Sequence, residues 1–186
     1  MKAGNRCHHS KLSMPTATKT APRLPALIVA IARKEIGTEE INGSNCGPRV
    51  NEYKAATWLD PKKSWAWCAA FVCWLVLQAL EASGIKQTKT FKRPRTAGAW
   101  DFRNWSLAQD NSIVTKDRPG PGDIEPGDIL VYTFSHIGVA SSKCDAKGYC
   151  RAIEGNTDDG GGREGGAVLE MKRHYSKVKA RLRFTI

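Results

Sequence analysis

The sequence predicts an α+β domain in which helices come first and an antiparallel sheet follows. Apolar residues recur at helical spacing in the first half of the chain, most clearly over residues 25–35 and 65–80. Short segments rich in β-branched residues, separated by turns with Gly or Asp, fill residues 128–185. Helices followed by strands are typical of an α+β arrangement. The 186 residues, 41% of them hydrophobic, are enough for a sizeable core, and no apolar run reaches the ~18 residues of a membrane span.

The first 22 residues are predicted to be a basic, flexible arm, and residues 23–186 the folded domain. The apolar stretch at 24–32 follows basic residues as in a signal peptide, but the basic region is too long and no small-residue cleavage site follows it. We therefore expect no signal peptide and interpret Pro25–Glu35 as an amphipathic helix ending before Gly37. Its expected buried face consists of Leu27, Ile28, Ile31 and Ile36.

Three further helices and five strands are predicted after this first helix. Residues 49–58 show helical spacing, residues 65–80 are apolar nearly all round and predict a buried central helix, and residues 96–104 predict a short one. A turn-rich stretch with three prolines and three glycines occupies residues 119–127. The predicted strands cover residues 128–134, 136–141, 150–154, 167–173 and 178–185.

The charge of the chain favours a polyanionic partner. Lys and Arg number 29 against 18 Asp and Glu, a formal net charge of +11. The basic residues cluster in residues 1–37, 86–95 and 171–183. Nucleic acid, an anionic membrane and an anionic wall polymer all fit such a surface. Since the aromatic residues are not interleaved with the basic clusters, a nucleic-acid-binding module is the weaker alternative and no specific nucleic acid is expected.

One of the six cysteines is placed where a thiol becomes reactive. Their spacings match no strong zinc pattern, and Cys7-His8-His9 lacks a second pair of ligands. Cys68 falls at the start of the predicted central helix, where unpaired N–H groups and the helix dipole stabilise a thiolate. We expect the others to be structural or incidental thiols in a reducing compartment. The six are Cys7, Cys46, Cys68, Cys73, Cys144 and Cys150.

A base and a group that orients it are available in the second half of the chain. His136 lies at the junction of two predicted strands. Glu154 and Asn156 end the following strand two residues apart, and either side chain can accept the imidazole N–H and fix its tautomer. A cysteine, a histidine and a polar residue of this kind form a triad for nucleophilic catalysis.

Taken in order, four segments resemble the CHAP family, the cysteine, histidine-dependent amidohydrolases/peptidases. They are Trp67-Cys68-Ala69-Ala70-Phe71-Val72, Gly127-Asp128-Ile129-Leu130, Ser135-His136-Ile137-Gly138-Val139 and Glu154-Gly155-Asn156-Thr157. The resemblance extends to Glu35-Ile36-Gly37-Thr38-Glu39-Glu40 upstream and to Arg163-Glu164-Gly165-Gly166-Ala167-Val168 downstream, and covers roughly residues 25–185.

The resemblance implies a papain-like fold, in which the cysteine helix packs on the antiparallel sheet. It also implies hydrolysis of amide bonds in peptidoglycan, either in the stem peptide or at the sugar–peptide linkage. Cys68 is then the nucleophile and His136 the base, while Glu154 and Asn156 both remain candidates for orienting His136. The expected substrate contacts are Tyr53, Trp65 and Trp67.

We expect no cofactor, although some family members bind calcium before the cysteine. The corresponding loop here holds Glu39, Glu40, Asn42 and Asn45 but lacks an alternation of Asp ligands. As a phage lysin or antibacterial effector, the chain would be made in the cytoplasm and act at the wall or periplasm. Its expected partners are peptidoglycan, the anionic envelope, and an immunity protein or a holin or secretion machine. A cysteine protease or deamidase acting on proteins would use the same residues and remains an alternative.

Overall fold

The computed structural model describes Met1 and residues 23–186 of the chain. The predicted arm, Met1 apart, and the Cys7-His8-His9 group lie outside the described residues. Within those residues the chain forms four α-helices and a sheet of six strands. The helices are α1 (Leu24–Glu35), α2 (Pro48–Ala55), α3 (Cys68–Ser83) and α4 (Asp101–Leu107). The strands are β1 (Ile113–Asp117), β2 (Ile129–Tyr132), β3 (Ile137–Ala140), β4 (Tyr149–Thr157), β5 (Ala167–His174) and β6 (Val178–Phe184).

The first helix confirms the predicted amphipathic segment but buries a different set of residues. Pro25 occupies the first turn, where a missing N–H leaves no hydrogen bond unmade. Leu24, Ile28, Val29 and Ala32 are buried. The helix ends at Glu35, so Ile36 lies beyond its last turn and is 43% exposed, which corrects its expected place on the buried face.

The central helix α3 packs on both helices and strands. Most of its residues are buried, and its neighbours are α1, α2, β3 and β4. It begins at Cys68 and ends at Ser83, and the next residue, Gly84, has a φ of 70°, the left-handed conformation favoured after a helix C-terminus. This arrangement fixes the start of α3 against the strands that follow it in the chain.

The sheet has the strand order β1-β6-β2-β3-β4-β5, and every neighbouring pair is antiparallel. The long pair of β4 and β5 closes one edge. Its register shifts between Glu154 and Thr157, so β4 continues through residues that the sequence predicted to be a turn after Glu154. The α+β class and the antiparallel sheet are thus confirmed.

Two elements differ from the prediction. The helix expected over residues 96–104 begins only at Asp101, because the Thr96 hydroxyl accepts the Gly98 N–H (3.0 Å) and donates to Asp101 Oδ2 (2.9 Å), which makes a turn there. Strand β1 was not predicted, since its five residues are mostly polar and it is recognisable only by its pairing with β6. Among the described residues, no helix is both long and apolar enough to span a membrane.

Candidate active site

The start of α3 presents Cys68 at the helix N-terminus. Cys68 is the first helical residue and is 6% exposed. The N–H groups of a first helical turn have no intrahelical acceptors and carry the positive end of the helix dipole. The geometry that favours a thiolate nucleophile is therefore present at this position.

His136 is placed by the turn between β2 and β3. Ser135, just before it, has a φ of 56°, and the His136 carbonyl accepts the Tyr132 N–H at 2.9 Å. The imidazole is fully buried and lies nearly parallel to the rings of Tyr132 and Phe134, with centroid distances of 6.0 and 5.8 Å. These rings hold the imidazole plane in one orientation.

Glu154 is the carboxylate next to His136. Its Oε2 lies 3.0 Å from His136 Nε2, and both side chains are fully buried. The two atoms are at the distance of an ion pair, but neither ring nitrogen of His136 has a hydrogen-bond partner with good alignment. The contact is therefore an ion pair and not a well-aligned hydrogen bond.

Burial alone would lower the pKa of His136, because it penalises the imidazolium. Interaction with the Cys68 thiol and then with Glu154 outweighs burial and raises the pKa of His136 to about 9. The environment therefore favours a protonated imidazole at neutral pH when Cys68 and Glu154 are beside it.

A fourth residue, Arg173, lies beside Glu154, and no pattern in the sequence indicated it. Its Nε and Nη2 donate to Glu154 Oε1 and Oε2 at 2.8 and 2.5 Å. Its Nη1 donates to the Gly161 carbonyl at 3.1 Å, and its guanidinium lies over the rings of Tyr132 and Phe134. Burial would raise the pKa of Glu154, but Arg173 and His136 outweigh it and lower that pKa.

Asn156 contacts the start of α3 and does not contact His136. Its Oδ1 accepts the backbone N–H of Trp67 at 3.2 Å, and its Nδ2 donates to the Arg163 carbonyl at 3.2 Å. The residue is fully buried and has a φ of 59°. Of the two candidates left open by the sequence, Glu154 is the one that lies against the imidazole, whereas Asn156 holds the residue before Cys68.

Two glycines make this close packing possible. A Cβ on Gly138 would lie 2.5 Å from Glu154 Cγ, so the neighbouring strand gives the carboxylate its room. A Cβ on Gly155 would lie 2.7 Å from Trp67 Cζ3 and 2.9 Å from Phe71 Cβ, so β4 can approach α3 closely only because this residue has no side chain.

The three aromatic residues expected to contact substrate occupy different environments. Tyr53 is fully buried, and its hydroxyl donates to Glu35 Oε2 at 2.5 Å. Trp67 is also fully buried, and its Nε1 donates to Glu40 Oε2 at 2.9 Å. Both are therefore core residues, with no exposed surface for a substrate in this structure. Trp65 is partly exposed, with its Nε1 bound to the Asp60 carbonyl at 2.9 Å.

The acidic residues considered for calcium lie in the loop between α1 and α2. In the described part of the chain no three His, Cys, Asp or Glu side chains come together as ligands of a metal ion. Glu40 Oε2 accepts the indole N–H of Trp67 at 2.9 Å. The absence of a cofactor stays a prediction.

A cleft of about 1030 Å³ adjoins the turn that carries His136. Thr133 from that turn lines it together with Trp100, Tyr175 and Lys179. The Trp100 side chain is 45% exposed, its Nε1 donates to the Tyr132 carbonyl at 2.9 Å, and Lys179 Nζ lies 4.2 Å from its ring. An indole beside a cation offers both an apolar and a charged contact to a ligand.

The α+β fold is similar to that of one endolysin of known structure. A solved structure with a similar fold is the crystal structure of the wild type endolysin LysIME-EF1, with a TM-score of 0.50 and 12% sequence identity over 86% of this chain. The chain spans 63% of the length of that endolysin chain. No protein-family profile and no curated protein sequence matches the chain. At this identity the likeness concerns the fold, and the CHAP resemblance stays a prediction.

Proposed function

We propose that this chain is a cysteine peptidoglycan hydrolase that cleaves amide bonds of the stem peptide or of the sugar–peptide linkage. The observation that carries the proposal is the buried ion-pair contact of His136 with Glu154 at the start of the Cys68 helix. The endolysin-like fold supports peptidoglycan as the substrate class.

In the proposed mechanism His136 takes the proton of Cys68 and holds the thiolate as an ion pair. The thiolate attacks the amide carbonyl, a C–S bond forms, and the carbonyl electron pair moves to oxygen. N–H groups of the first turn of α3 stabilise this oxyanion, and one such donor is typically worth about 3 kcal/mol.

The tetrahedral intermediate then collapses with cleavage of the C–N bond. His136 transfers its proton to the leaving amine and becomes the base for a water molecule, which attacks the thioester. The acid product leaves, and the Cys68 thiolate is restored. Glu154 stays ionised throughout because Arg173 binds both of its oxygens.

The test is clearing of purified cell walls by single variants. Cys68→Ala and His136→Ala should each lower the rate at least ~1000-fold, as removal of a catalytic nucleophile or base does in related acyl-transfer enzymes. Cys73→Ala is the matched control, since that thiol lies in the same helix and donates to the Thr96 carbonyl at 3.3 Å, away from the triad. It should keep most of the activity.

Mass spectrometry of the released fragments identifies the bond. New amino termini within stem peptides indicate an endopeptidase, and free stem peptides with bare glycan indicate an amidase. Clearing by folded Cys68→Ala at the normal rate would refute the proposal. Cleavage of proteins, with intact walls left untouched, would support the protease alternative.

A further inference from the structure

The hairpin between β3 and β4 is closed by a rigid, tightly bonded turn. The Asp145 N–H donates to the Tyr149 carbonyl at 2.8 Å, and the Gly148 N–H donates to the Asp145 carbonyl at 2.9 Å. Gly148 has a φ of 80°, so the loop is a type I turn followed by a left-handed residue, a common three-residue hairpin. Asp145 Oδ1 also accepts the N–H groups of Lys147 and Tyr149, both at 2.9 Å.

This turn places two cysteines opposite each other. Cys144 directly precedes Asp145 and Cys150 directly follows Tyr149, the two residues joined by the closing hydrogen bond of the turn. The two cysteines therefore lie on opposite arms of the hairpin, one residue beyond that bond. Residues that face each other across antiparallel arms have Cα atoms about 4.5–5.5 Å apart, which is within the range of disulfides, about 4.4–6.8 Å.

The two thiols also share one apolar environment. Cys150 is 1% exposed and belongs to a small apolar cluster with Tyr132, and the partly buried Cys144 packs against the same cluster. Each thiol shifts the pKa of the other, and Cys150 Sγ also donates to the Arg173 carbonyl at 3.6 Å. Both are free in this structure. Nothing in the proposed hydrolysis uses either of them.

We propose that Cys144 and Cys150 are a dithiol modification site, which a small disulfide such as oxidised glutathione converts to an intramolecular disulfide. The more exposed Cys144 attacks as thiolate, an S–S bond to glutathione forms, and one glutathione leaves. Cys150 then attacks the Cys144 sulfur and releases the second glutathione. The protein thiols lose two electrons and two protons, and the small disulfide is reduced to two thiols.

The cross-link would close the loop from Cys144 to Cys150 and restrain the unfolded chain. Disulfides act mainly by lowering the entropy of the unfolded state, and even short loops gain from this. Burial raises the pKa of both thiols, so the reaction is best run at mildly alkaline pH. The disulfide also joins the hairpin at the start of β4, the strand that carries Glu154.

Trypsin mapping tests the proposal directly, because Lys147 lies between the two cysteines. The full-length Cys68→Ala chain, which lacks the proposed nucleophile, is incubated with oxidised glutathione, alkylated and digested without reductant. Cleavage after Lys143, Lys147 and Arg151 yields peptides 144–147 and 148–151, which stay joined only through the disulfide. We expect the joined pair, its loss after reduction, and a reversible rise in melting temperature of about 4–8 °C.

Cys144→Ser in the same background is the matched control and should give neither the joined peptides nor the thermal shift. The proposal is wrong if the oxidised chain carries glutathione on Cys144 without a disulfide joining peptides 144–147 and 148–151. It is also wrong if both thiols can still be alkylated. The peptide map shows whether the disulfide has formed, and this result depends neither on the folding of the control variant nor on wall hydrolysis. Failure here therefore leaves the proposed function untouched, and the reverse also holds.

Discussion

Arg173 is the residue that makes a charged Glu154 tolerable inside the protein. A fully buried carboxylate without a cation would take up a proton, because nothing offsets the free energy lost on its desolvation. The bidentate pair with Arg173 offsets that cost. The guanidinium in turn is held by the Gly161 carbonyl and by the rings of Tyr132 and Phe134. Arg173 thus acts on His136 through Glu154, as a positioning residue.

Replacing Arg173 by Leu should lower both stability and activity. The change leaves a buried unpaired carboxylate, which costs about 3–5 kcal/mol of the free energy of unfolding unless Glu154 becomes protonated. A neutral Glu154 no longer raises the pKa of His136 through its negative charge. The alkaline limb of the pH profile of wall clearing, which follows loss of the His136 proton, should therefore move to lower pH.

Two variants separate positioning from simple loss of structure. Arg151→Ala removes an exposed partner of Glu170, at 3.5 Å on the same pair of strands, and should cost less than about 1 kcal/mol with an unchanged pH profile. Arg173→Lys keeps the charge and should restore part of the profile. An alkaline limb unmoved in Arg173→Leu would show that the guanidinium serves stability alone.

At the scale of elements, the site depends on how closely β4 approaches α3. Gly155→Ala would place a methyl group 2.7 Å from Trp67 Cζ3 and 2.9 Å from Phe71 Cβ, so the start of α3 must shift. We expect a loss of about 1–3 kcal/mol in urea unfolding, as in other overpacked cores. Wall clearing should fall further than stability explains, because Cys68 moves with the helix.

Gly122→Ala is the control for this change. Its added Cβ would meet no atom within 4 Å and its φ lies outside the left-handed region, so stability and clearing should stay close to those of the parent chain. Equal behaviour of the two variants would contradict a close helix–strand contact.

Elements marked by local pattern were predictable from the sequence, and those defined by pairing were not. The apolar run fixed α3 within a few residues, and the turn signals separated the later strands. Strand β1 has too few apolar residues to be recognised without β6. Arg173 was missed for the same reason: its reach to Glu154 depends on the β4–β5 register, which no local motif encodes.

The triad itself was predicted only as a set of types and positions. Cys68 was recognisable as a helix-start cysteine, and His136 as a histidine between strands. The choice between Glu154 and Asn156 required the shift in register that turns one toward the imidazole and the other toward Trp67. Tyr53 and Trp67 were expected to contact substrate, and both are fully buried, because a local motif does not reveal which aromatic side chains the neighbouring elements cover.

At the scale of the whole molecule, the basic loop at 86–95 is the surface we propose for the anionic envelope. Its five basic residues form no ion pair within the described residues. A groove of about 580 Å³ runs beside them, lined by Lys92, Arg93, Arg95 and the exposed Trp58. Burial and the charge of Arg95 lower the pKa of Arg93 and outweigh the opposite effect of Glu81, which indicates that the cations lie close together, with Asp101 also lining the groove.

Neutralising this groove should weaken binding to whole walls. Lys92→Ala with Arg95→Ala spares Arg93, whose Nη1 holds the Ala56 carbonyl at 2.7 Å. We expect weaker binding at low salt and a shallower salt dependence, because fewer counterions are released from the polymer. Cosedimentation with purified walls at several salt concentrations measures both.

The control removes the same charge elsewhere, at the exposed Lys147 and Lys177. If it weakens binding as much as the groove variant, net charge and not this groove determines docking. Binding to DNA that exceeds binding to walls and is lost in the groove variant would instead favour the nucleic-acid alternative.

The ion pair of Arg173 with Glu154 balances the charge of the proposed site. With a Cys68 thiolate and a His136 imidazolium, the four buried groups alternate in sign and sum to zero, although the exterior carries a large excess of positive charge. A distant charge acts on the two cations and the two anions with opposite signs, so its effects on the four groups largely cancel. In the proposed hydrolase, binding to the wall and the rate of the chemical step can therefore be changed separately. Substitutions of surface charges change the binding, and substitutions of these four residues change the rate.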